Sequence, residues 1–248
     1  MESYAVIYKN LGETPLEALE RFRANHEELA EVPMTYAGRL DPLAEGQLII
    51  LIGDECRKKE LYLNLDKEYE VEILFGISTD TYDALGLASK GEFVTDFEKR
   101  AGQAFTELTP TDKKIVTFAQ TYPPYSSKTI KGIPLHQLAR TNSLPDEMPE
   151  KFVKIYELEF LDRKVISAGD LLERILNNID RVAGDFRQEE IKKRWLDVLD
   201  DNKVAFNMVK IRVKCSSGTY MRSLAHKVGQ DAGTGAFALS IKRTQIFL

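Results

Sequence analysis

The chain has 248 residues, of which 43% are hydrophobic and 29% charged, a composition typical of a globular protein with its own core. Its 34 basic and 39 acidic residues give a net charge of −5, which argues against tight, non-specific binding of nucleic acid. No stretch approaches the roughly 18 apolar residues that span a bilayer, and residues 1–3 do not begin a signal peptide, so we expect a cytoplasmic protein.

The first third of the chain alternates short strands with helix signals. Residues 5–8 read as a strand, and Thr14-Pro15-Leu16-Glu17 forms a capping box that predicts a helix to about Glu28. Residues 48–52 are an apolar run typical of a buried strand. Asp54 is predicted to cap a helix toward Tyr62.

Regular alternation marks the next strand, at residues 67–75. Tyr69, Val71, Ile73 and Phe75 would face the core, and the glutamates at 68, 70 and 72 would face water. Thr95 is predicted to begin a helix, and residues 115–121 to form another strand.

The second half contains a proline-rich excursion and a helical insertion. Five prolines between residues 122 and 149 indicate an exposed loop, with a short helix near 135–140. Strands are predicted over 152–160, 208–215 and 239–247. Between them, residues 167–205 carry apolar stripes that predict helices at 171–179 and 188–199. Strands with interspersed helices, few in strict βαβ order, predict an α+β fold with a mixed, largely antiparallel sheet.

One acidic residue stands out by its setting. The segment GRLDPLAEG, residues 38–46, places Asp41 between a Gly-Arg pair and Pro42, directly before the buried strand. Proline restricts the residue that precedes it, so Asp41 should be extended and well fixed. Such a carboxylate suits a nucleophile or a general base, although an aspartate that merely caps a turn is an alternative.

Four ordered segments together resemble the tRNA pseudouridine synthase B (TruB) family. They are GRLDPLAEG at 38–46, KEYEV at 67–71, GISTDTYDALG at 76–86 and CSSGTYMRSL at 215–224, with weaker matches at YKNLG (8–12) and YSSK (125–128). The resemblance covers roughly residues 4–163 and 206–247. It implies a single pseudouridine synthase domain over residues 1–248, interrupted by the helical insertion.

The resemblance also implies catalytic residues. Asp41 matches the family's catalytic aspartate, and Arg222 matches the arginine that pairs with it. Tyr69 matches the tyrosine that stacks under the target base. Converting uridine to pseudouridine needs no redox step, so no cofactor is expected. The chain's two cysteines and three histidines lack ligand spacing, so no metal is expected either.

Further matches imply the substrate contacts. The substrate would be tRNA, modified at the TΨC-arm uridine at position fifty-five, with loop 122–149 clasping the RNA. Residues expected to bind the substrate are Tyr36, Arg39, Asp83, Lys128 and Tyr220, and Lys9 and Lys131 are expected to contact the RNA backbone. Tyr36 stands where many bacterial members carry a histidine that fills the gap left by the flipped base, so the chain departs from the family there.

Two alternatives remain open from the sequence. The first is a non-catalytic RNA-binding or tRNA-folding factor on the same scaffold, and the second is a hydrolase that pairs Asp41 with Asp83. The acidic net charge mildly favours the first, although Lys210, Arg212 and Lys214 share one strand face and predict a local basic track. We expect a monomer that lacks the C-terminal RNA-binding domain of many relatives. Tight packing is the simpler interpretation of the insertion, with RNA binding as the alternative.

Overall fold

The computed structural model describes residues 3–92, 94, 96–111, 114–201 and 203–248. The strands are β1 (Tyr4–Lys9), β2 (Met34–Ala37), β3 (Ala44–Ile52), β4 (Lys67–Phe75), β5 (Ile77–Thr79), β6 (Ala88–Lys90), β7 (Val116–Thr121), β8 (Thr129–Ile130), β9 (Ile133–Pro134), β10 (Glu150–Ser167), β11 (Ala205–Cys215) and β12 (Ala236–Ile246). The α-helices are α1 (Pro15–Ala24), α2 (Lys59–Leu63), α3 (Phe97–Leu108), α4 (Leu135–Arg140), α5 (Ala168–Asp180), α6 (Gln188–Val198) and α7 (Met221–Asp231).

A mixed sheet of eight strands forms the centre of the fold. Its main path runs β1-β3-β12-β4-β11-β10-β7, and β2 pairs with β3 beside that path. The pairings are antiparallel except for a short parallel contact between β12 and β3. The predicted α+β fold with a mixed, largely antiparallel sheet is therefore confirmed.

One face of the sheet is covered by α3 and α7. The alternation of β4 turns Val71 and Ile73 toward this side, where both are fully buried. They pack in one cluster with Phe105 of α3 and Leu224 of α7. A short turn connects β11 to α7. The packing of α7 on the sheet therefore places the start of this helix at the end of the sheet where β3 begins.

The opposite face is covered by α5 and α6, which are the two predicted helices of the insertion. Leu171 and Ile175 of α5 and Trp195 of α6 are fully buried against Leu74 of β4 and Phe237 of β12. The same cluster includes Ala84 and Leu85 from the loop between β5 and β6. The insertion is thus part of the main core, as the simpler interpretation of its apolar stripes predicted.

The local signals for helix starts were right in one case and wrong in another. The capping box at Thr14 and Glu17 is confirmed, although α1 ends at Ala24 and only a 3₁₀ turn, Glu27–Leu29, follows. The predicted cap at Asp54 is wrong, because a 3₁₀ segment, Gly53–Lys58, precedes α2 and has no side-chain cap. The predicted helix start at Thr95 lies outside the described residues.

The glutamates of β4 do not simply face water. Glu70 pairs with Lys210 at 2.7 Å and with Arg212 at 3.0 Å across the sheet. Lys214 pairs with Glu157 at 3.1 Å. The predicted basic track on β11 is therefore wrong, because neighbouring strands place a carboxylate beside each of its cations.

None of the helices in the described part of the chain is long and apolar enough to cross a membrane.

Candidate active site

The loop between β2 and β3 presents Asp41 and is held from its rear side. The Asp41 carbonyl accepts a hydrogen bond from the Ala44 amide at 3.0 Å, which closes a tight turn around Pro42. The Pro42 carbonyl in turn accepts from the Gly12 amide at 2.9 Å. These contacts hold the backbone of Asp41 just before β3, so the residue is well fixed, as the proline in the motif predicted.

Arg222, in the first turn of α7, binds Asp41 through two nitrogens. Its Nε donates to Asp41 Oδ2 at 2.8 Å and its Nη2 donates to Oδ1 at 3.0 Å. The Arg222 side chain is 3% exposed, whereas that of Asp41 is 39% exposed. The carboxylate is therefore open to a ligand from one side and oriented by a buried guanidinium from the other.

Asp83 supplies a second, buried carboxylate next to Arg222. Its Oδ2 lies 3.6 Å from Arg222 Nε, and its Oδ1 accepts hydrogen bonds from Thr81 Oγ1 and the Leu85 amide. Burial raises the pKa of Asp83 to about 6, although the Arg222 charge opposes the rise. Asp83 thus helps to hold Arg222 in place, and Asp41 is the more accessible of the two carboxylates.

Tyr69 lies on the core face of β4, where it is 8% exposed. Burial raises the pKa of its phenol, and the nearby guanidinium of Arg243 opposes that rise. The phenol is therefore protonated at neutral pH. Arg243 is itself buried and donates to the Gln47 and Gly38 carbonyls, so it ties β12 to the loop that carries Asp41.

Tyr220 lies at the junction of β11 and α7. Its backbone is fixed by the buried Gln120 side chain, which donates to the Tyr220 carbonyl and accepts from the Tyr220 amide. Burial raises the pKa of the Tyr220 phenol to about 12, and the charge of Asp41 adds to the rise. Arg39 is exposed on the same loop as Asp41, and its charge opposes the rise in the Tyr220 pKa.

Loop 122–149 passes next to Arg222 and carries exposed lysines. The Tyr125 carbonyl accepts from Arg222 Nη2 at 3.2 Å. Beyond it, β8 and β9 form a hairpin with Lys131 and Gly132 at its tip, both with positive φ, as a type I′ turn requires. Lys131 and Lys128 are exposed, and Lys128 lies 5.2 Å from the Tyr122 ring.

Two of the predicted contact residues lie elsewhere. Lys9 is fully buried, and its ammonium donates to the carbonyls of Asn10, Pro42 and Ala44. The expected phosphate contact is therefore wrong, and Lys9 instead supports the Asp41 loop. Tyr36 packs against the cluster of α1 and β3, with Lys59 over its ring at 5.2 Å, rather than against Asp41.

Several residues of the site escaped the sequence analysis. Thr81 accepts from Arg222 through its carbonyl at 2.8 Å, and Gln120 and Arg243 are the buried supports described above. For Gln120 and Arg243 the signal in the sequence was a large polar residue at an inward position of a strand, whereas Thr81 lies in the motif at residues 76–86. That pattern marks a buried polar group but does not identify its partner.

The site has the donor set of an acid–base centre rather than that of a metal centre. Within residues 3–92, 94, 96–111, 114–201 and 203–248, no three His, Cys, Asp or Glu side chains come together in a way that could hold a metal ion. The Asp41 and Asp83 carboxylates are instead engaged by Arg222.

Comparison with solved structures supports the fold. A crystal structure of a Cbf5–Nop10–Gar1 complex matches with a TM-score of 0.54 at 19% identity, covering 97% of this chain and 48% of the matched chain. A structure of an H/ACA RNP bound to a substrate RNA containing 2′-deoxyuridine matches with a TM-score of 0.52 at 18% identity, covering 97% and 47%. At this identity the likeness concerns the fold alone.

Comparison of sequences places the chain in a family. The model of the TruB family pseudouridylate synthase (N terminal domain) matches residues 28–171, which is more than half of the chain. The chain therefore belongs to the TruB family of pseudouridylate synthases, and the pseudouridine synthase fold expected from its motifs is confirmed.

Individual relatives agree with this assignment. A tRNA pseudouridine synthase B of Aquifex aeolicus is 28% identical over 99% of this chain and 69% of its own length. Proteins of the same name from Francisella tularensis subsp. novicida and subsp. tularensis are 31% and 32% identical over 85% of this chain. The chain spans about half the length of the two Francisella relatives, since 54% of each is covered.

Proposed function

We propose that this protein is a tRNA pseudouridine synthase that isomerises the TΨC-arm uridine of tRNA at position fifty-five. The observation that carries the proposal is the bidentate pair of a buried Arg222 with a solvent-accessible Asp41. Membership of the TruB family and the similarity to proteins named tRNA pseudouridine synthase B support it.

The reaction breaks the N-glycosidic bond of uridine, turns the base and joins the sugar to its C5 atom. The C5 proton is lost at the end, and N1, which is no longer bonded to the sugar, takes up a proton, so the product has the same composition as the substrate. Asp41 attacks either the sugar C1′ or the base, and its carboxylate leaves again when the new C–C bond forms. Arg222 orients this carboxylate through its two hydrogen bonds.

Tyr69 is proposed as the platform for the target base. Stacking of a base on an aromatic ring contributes about 1–3 kcal/mol, which offsets part of the cost of unstacking the nucleotide. Since the phenol is buried and protonated, its hydroxyl acts first as a hydrogen-bond donor. In this proposal it assists the loss of the C5 proton only after the base has turned.

The RNA would be held by exposed residues around this centre. Arg39 is exposed on the Asp41 loop, Lys128 and Lys131 are exposed on loop 122–149, and the two lysines suit phosphate contacts, while the half-buried Tyr220 would contact the nucleotide near Asp41. We propose that the chain forms one catalytic domain, acts as a monomer without a cofactor, and works in the cytoplasm, where its tRNA substrate would be found.

Release of tritium from C5-labelled uridine in tRNA tests the activity directly. The wild type should release tritium, and Asp41→Asn should release essentially none. Asp54→Asn is the matched control, because its carboxylate is 93% exposed on a surface segment away from Arg222. A tRNA with cytidine at the target position should give no release.

The competing hypothesis is a non-catalytic RNA-binding or tRNA-folding factor on the same scaffold. It predicts binding of tRNA without tritium release from the wild type. Equal rates for the wild type and Asp41→Asn would instead remove Asp41 from the mechanism.

A further inference from the structure

The helical insertion contacts the loops that build the site. Trp195 of α6 donates its indole Nε1–H to the Ala84 carbonyl at 3.0 Å, directly after Asp83. Where α5 ends, the Arg181 backbone lies so close to Gly12 that a Cβ on Gly12 would come within 2.4 Å of the Arg181 carbonyl oxygen. Gly12 donates to Pro42, so α5 and α6 lie behind both carboxylates of the site.

The connection between α5 and α6 reaches further, through Arg187. This residue directly precedes α6 and has a φ of 63°, a left-handed conformation that is uncommon for a non-glycine residue. Its Nη2 lies 3.0 Å from Asp80 Oδ2, and its guanidinium carbon lies 4.5 Å from the centre of the Tyr125 ring. One side chain thus bridges the loop after β5 and the start of loop 122–149.

Tyr125 connects this bridge to the catalytic pair. Its ring lies under Arg187 and its carbonyl accepts from Arg222 Nη2. A second tie runs parallel to the first, because Arg140 of α4 donates to the Asp185 carbonyl at 3.0 Å. Loop 122–149 is therefore fastened to the α5–α6 connection at two points, one on either side of its hairpin.

We propose that Arg187 is a positioning residue that holds loop 122–149 against Arg222 before RNA binds. The two contacts of its guanidinium fix the Tyr125 segment in the free protein. The loop then loses little conformational entropy when RNA binds, and this makes binding more favourable. The consequence for catalysis rests on the proposed function, whereas the fastening of the loop is a property of the free protein.

Direct binding of an RNA phosphate by Arg187 fits the structure less well. The Arg187 side chain is 22% exposed and already faces the Asp80 carboxylate. Acidic residues slightly outnumber basic ones between residues 167 and 205, so the insertion as a whole has no excess of positive charge for binding RNA. Arg187 is therefore better placed to hold loop 122–149 than to bind the RNA.

Hydrogen–deuterium exchange in the RNA-free protein tests the fastening. In Arg187→Asn, which suits the left-handed backbone, exchange of backbone amides in residues 122–149 should become about tenfold faster, since a cation–π contact and an ion pair are lost. The matched control is Arg181→Asn, an exposed arginine on the same connection, and it should leave exchange in the loop unchanged. Equal effects of the two substitutions, or no effect of either, would overturn the proposal.

Tyr125→Leu approaches the same contact from the loop. It should accelerate exchange by itself, and adding Arg187→Asn should then change the rate less than it does in the wild type, because the contact between Arg187 and the Tyr125 ring is already absent and only the ion pair with Asp80 is left to lose. Fully multiplicative effects would show that Arg187 does not act through Tyr125.

Kinetics with tRNA test the role in the proposed reaction. Arg187→Asn should raise KM about tenfold and change kcat by less than about threefold, and Arg187→Lys, which keeps the ion pair but not the planar stack, should recover part of the loss. An unchanged KM alongside faster exchange would overturn the positioning role. If the wild type forms no pseudouridine, the proposed function fails, and the exchange result still decides the fastening.

Discussion

Arg222 and Asp41 lie 181 positions apart in the chain and meet through two hydrogen bonds of 2.8 and 3.0 Å. The contact joins the first turn of α7 to the loop before β3. Because Arg222 also donates to the Thr81 and Tyr125 carbonyls, its fork is held at a fixed angle to the Asp41 carboxylate. The geometry depends on a planar group with several donors, which a lysine does not have.

Arg222→Lys should therefore impair the reaction severely even though the charge is kept. An ammonium cannot bind both Asp41 oxygens and both carbonyls at once, so we expect kcat to fall by roughly two to three orders of magnitude, or about 3–4 kcal/mol. Single-turnover pseudouridine formation measures this. A thermal unfolding midpoint close to that of the wild type would show that the loss is not one of folding. Near-normal turnover would refute the role assigned to the pair.

Lys9→Met should lower kcat because the Asp41 loop loses its buried donor. The carbonyls of Pro42 and Ala44 would have no ammonium to bind, and a looser turn misplaces the carboxylate, which we expect to cost about tenfold in kcat. Arg23→Met is a suitable control, since Arg23 also donates to backbone carbonyls but does so at the end of α1. It should affect stability alone. Equal losses of kcat in both variants would contradict the role of Lys9.

Two glycine-to-alanine substitutions should have opposite effects on stability. Gly46 has a φ of 111°, and a Cβ there would lie 2.2 Å from the Arg243 carbonyl oxygen, so Gly46→Ala should cost about 3 kcal/mol or more. Gly102 lies exposed in α3, where a Cβ would meet nothing within 4 Å, so Gly102→Ala should gain about 0.5–1 kcal/mol from helix propensity. Urea unfolding of both variants measures the free energies. If both substitutions changed the unfolding free energy by similar amounts in the same direction, the close approach of β3 and β12 at Gly46 would be contradicted.

Much of the fold follows from periodicity in the sequence. The alternation at Tyr69, Val71 and Ile73 identified the core face of β4, and the stripes around Leu171 and Trp195 identified α5 and α6. These signals are local, because the spacing of apolar residues depends only on the repeat of a strand or helix. Helix ends were less predictable, as the 3₁₀ segment at Asp54 shows.

The site was only partly predictable, because its details depend on contacts between distant segments. The family motifs singled out Asp41 and Arg222, but nothing in the sequence indicates that Lys9 turns inward to a loop more than thirty positions away. The pairing of Lys210 with Glu70 likewise depends on the register between β11 and β4. The left-handed conformation of Arg187 has no sequence signal at all, since arginine rarely adopts it.

The titration of Asp83 should appear in the pH dependence of stability. Burial raises the pKa of Asp83 to about 6 in the folded protein, against roughly 3.9 in an unfolded chain. The folded state therefore binds the proton more tightly, so this contribution to stability is complete below about pH 4 and is lost as the pH rises through about 6. Relative to Asp83→Asn, the wild type should lose about 2 kcal/mol of unfolding free energy between pH 4 and pH 7. Urea unfolding at each pH measures these free energies. If the unfolding free energies of the wild type and Asp83→Asn changed equally with pH, the raised pKa of Asp83 would be contradicted.

Trp195→Phe should show that the insertion supports the site and does not merely cover the sheet. The indole is fully buried, 5.3 Å from the Phe237 ring, and its Nε1–H binds the Ala84 carbonyl. Phenylalanine leaves a cavity and an unpaired carbonyl, which together should cost about 2–3 kcal/mol in urea unfolding followed by circular dichroism.

The neighbouring Leu196 is the matched control, because it lies on the same helix but is 51% exposed. Leu196→Ala should change stability by about 0.5 kcal/mol or less. If α6 holds the Ala84 segment in place, Trp195→Phe should also lower kcat several-fold, because Ala84 follows the carboxylate that faces Arg222. Equal effects of the two substitutions on kcat would mean that the insertion adds stability without ordering the catalytic loops.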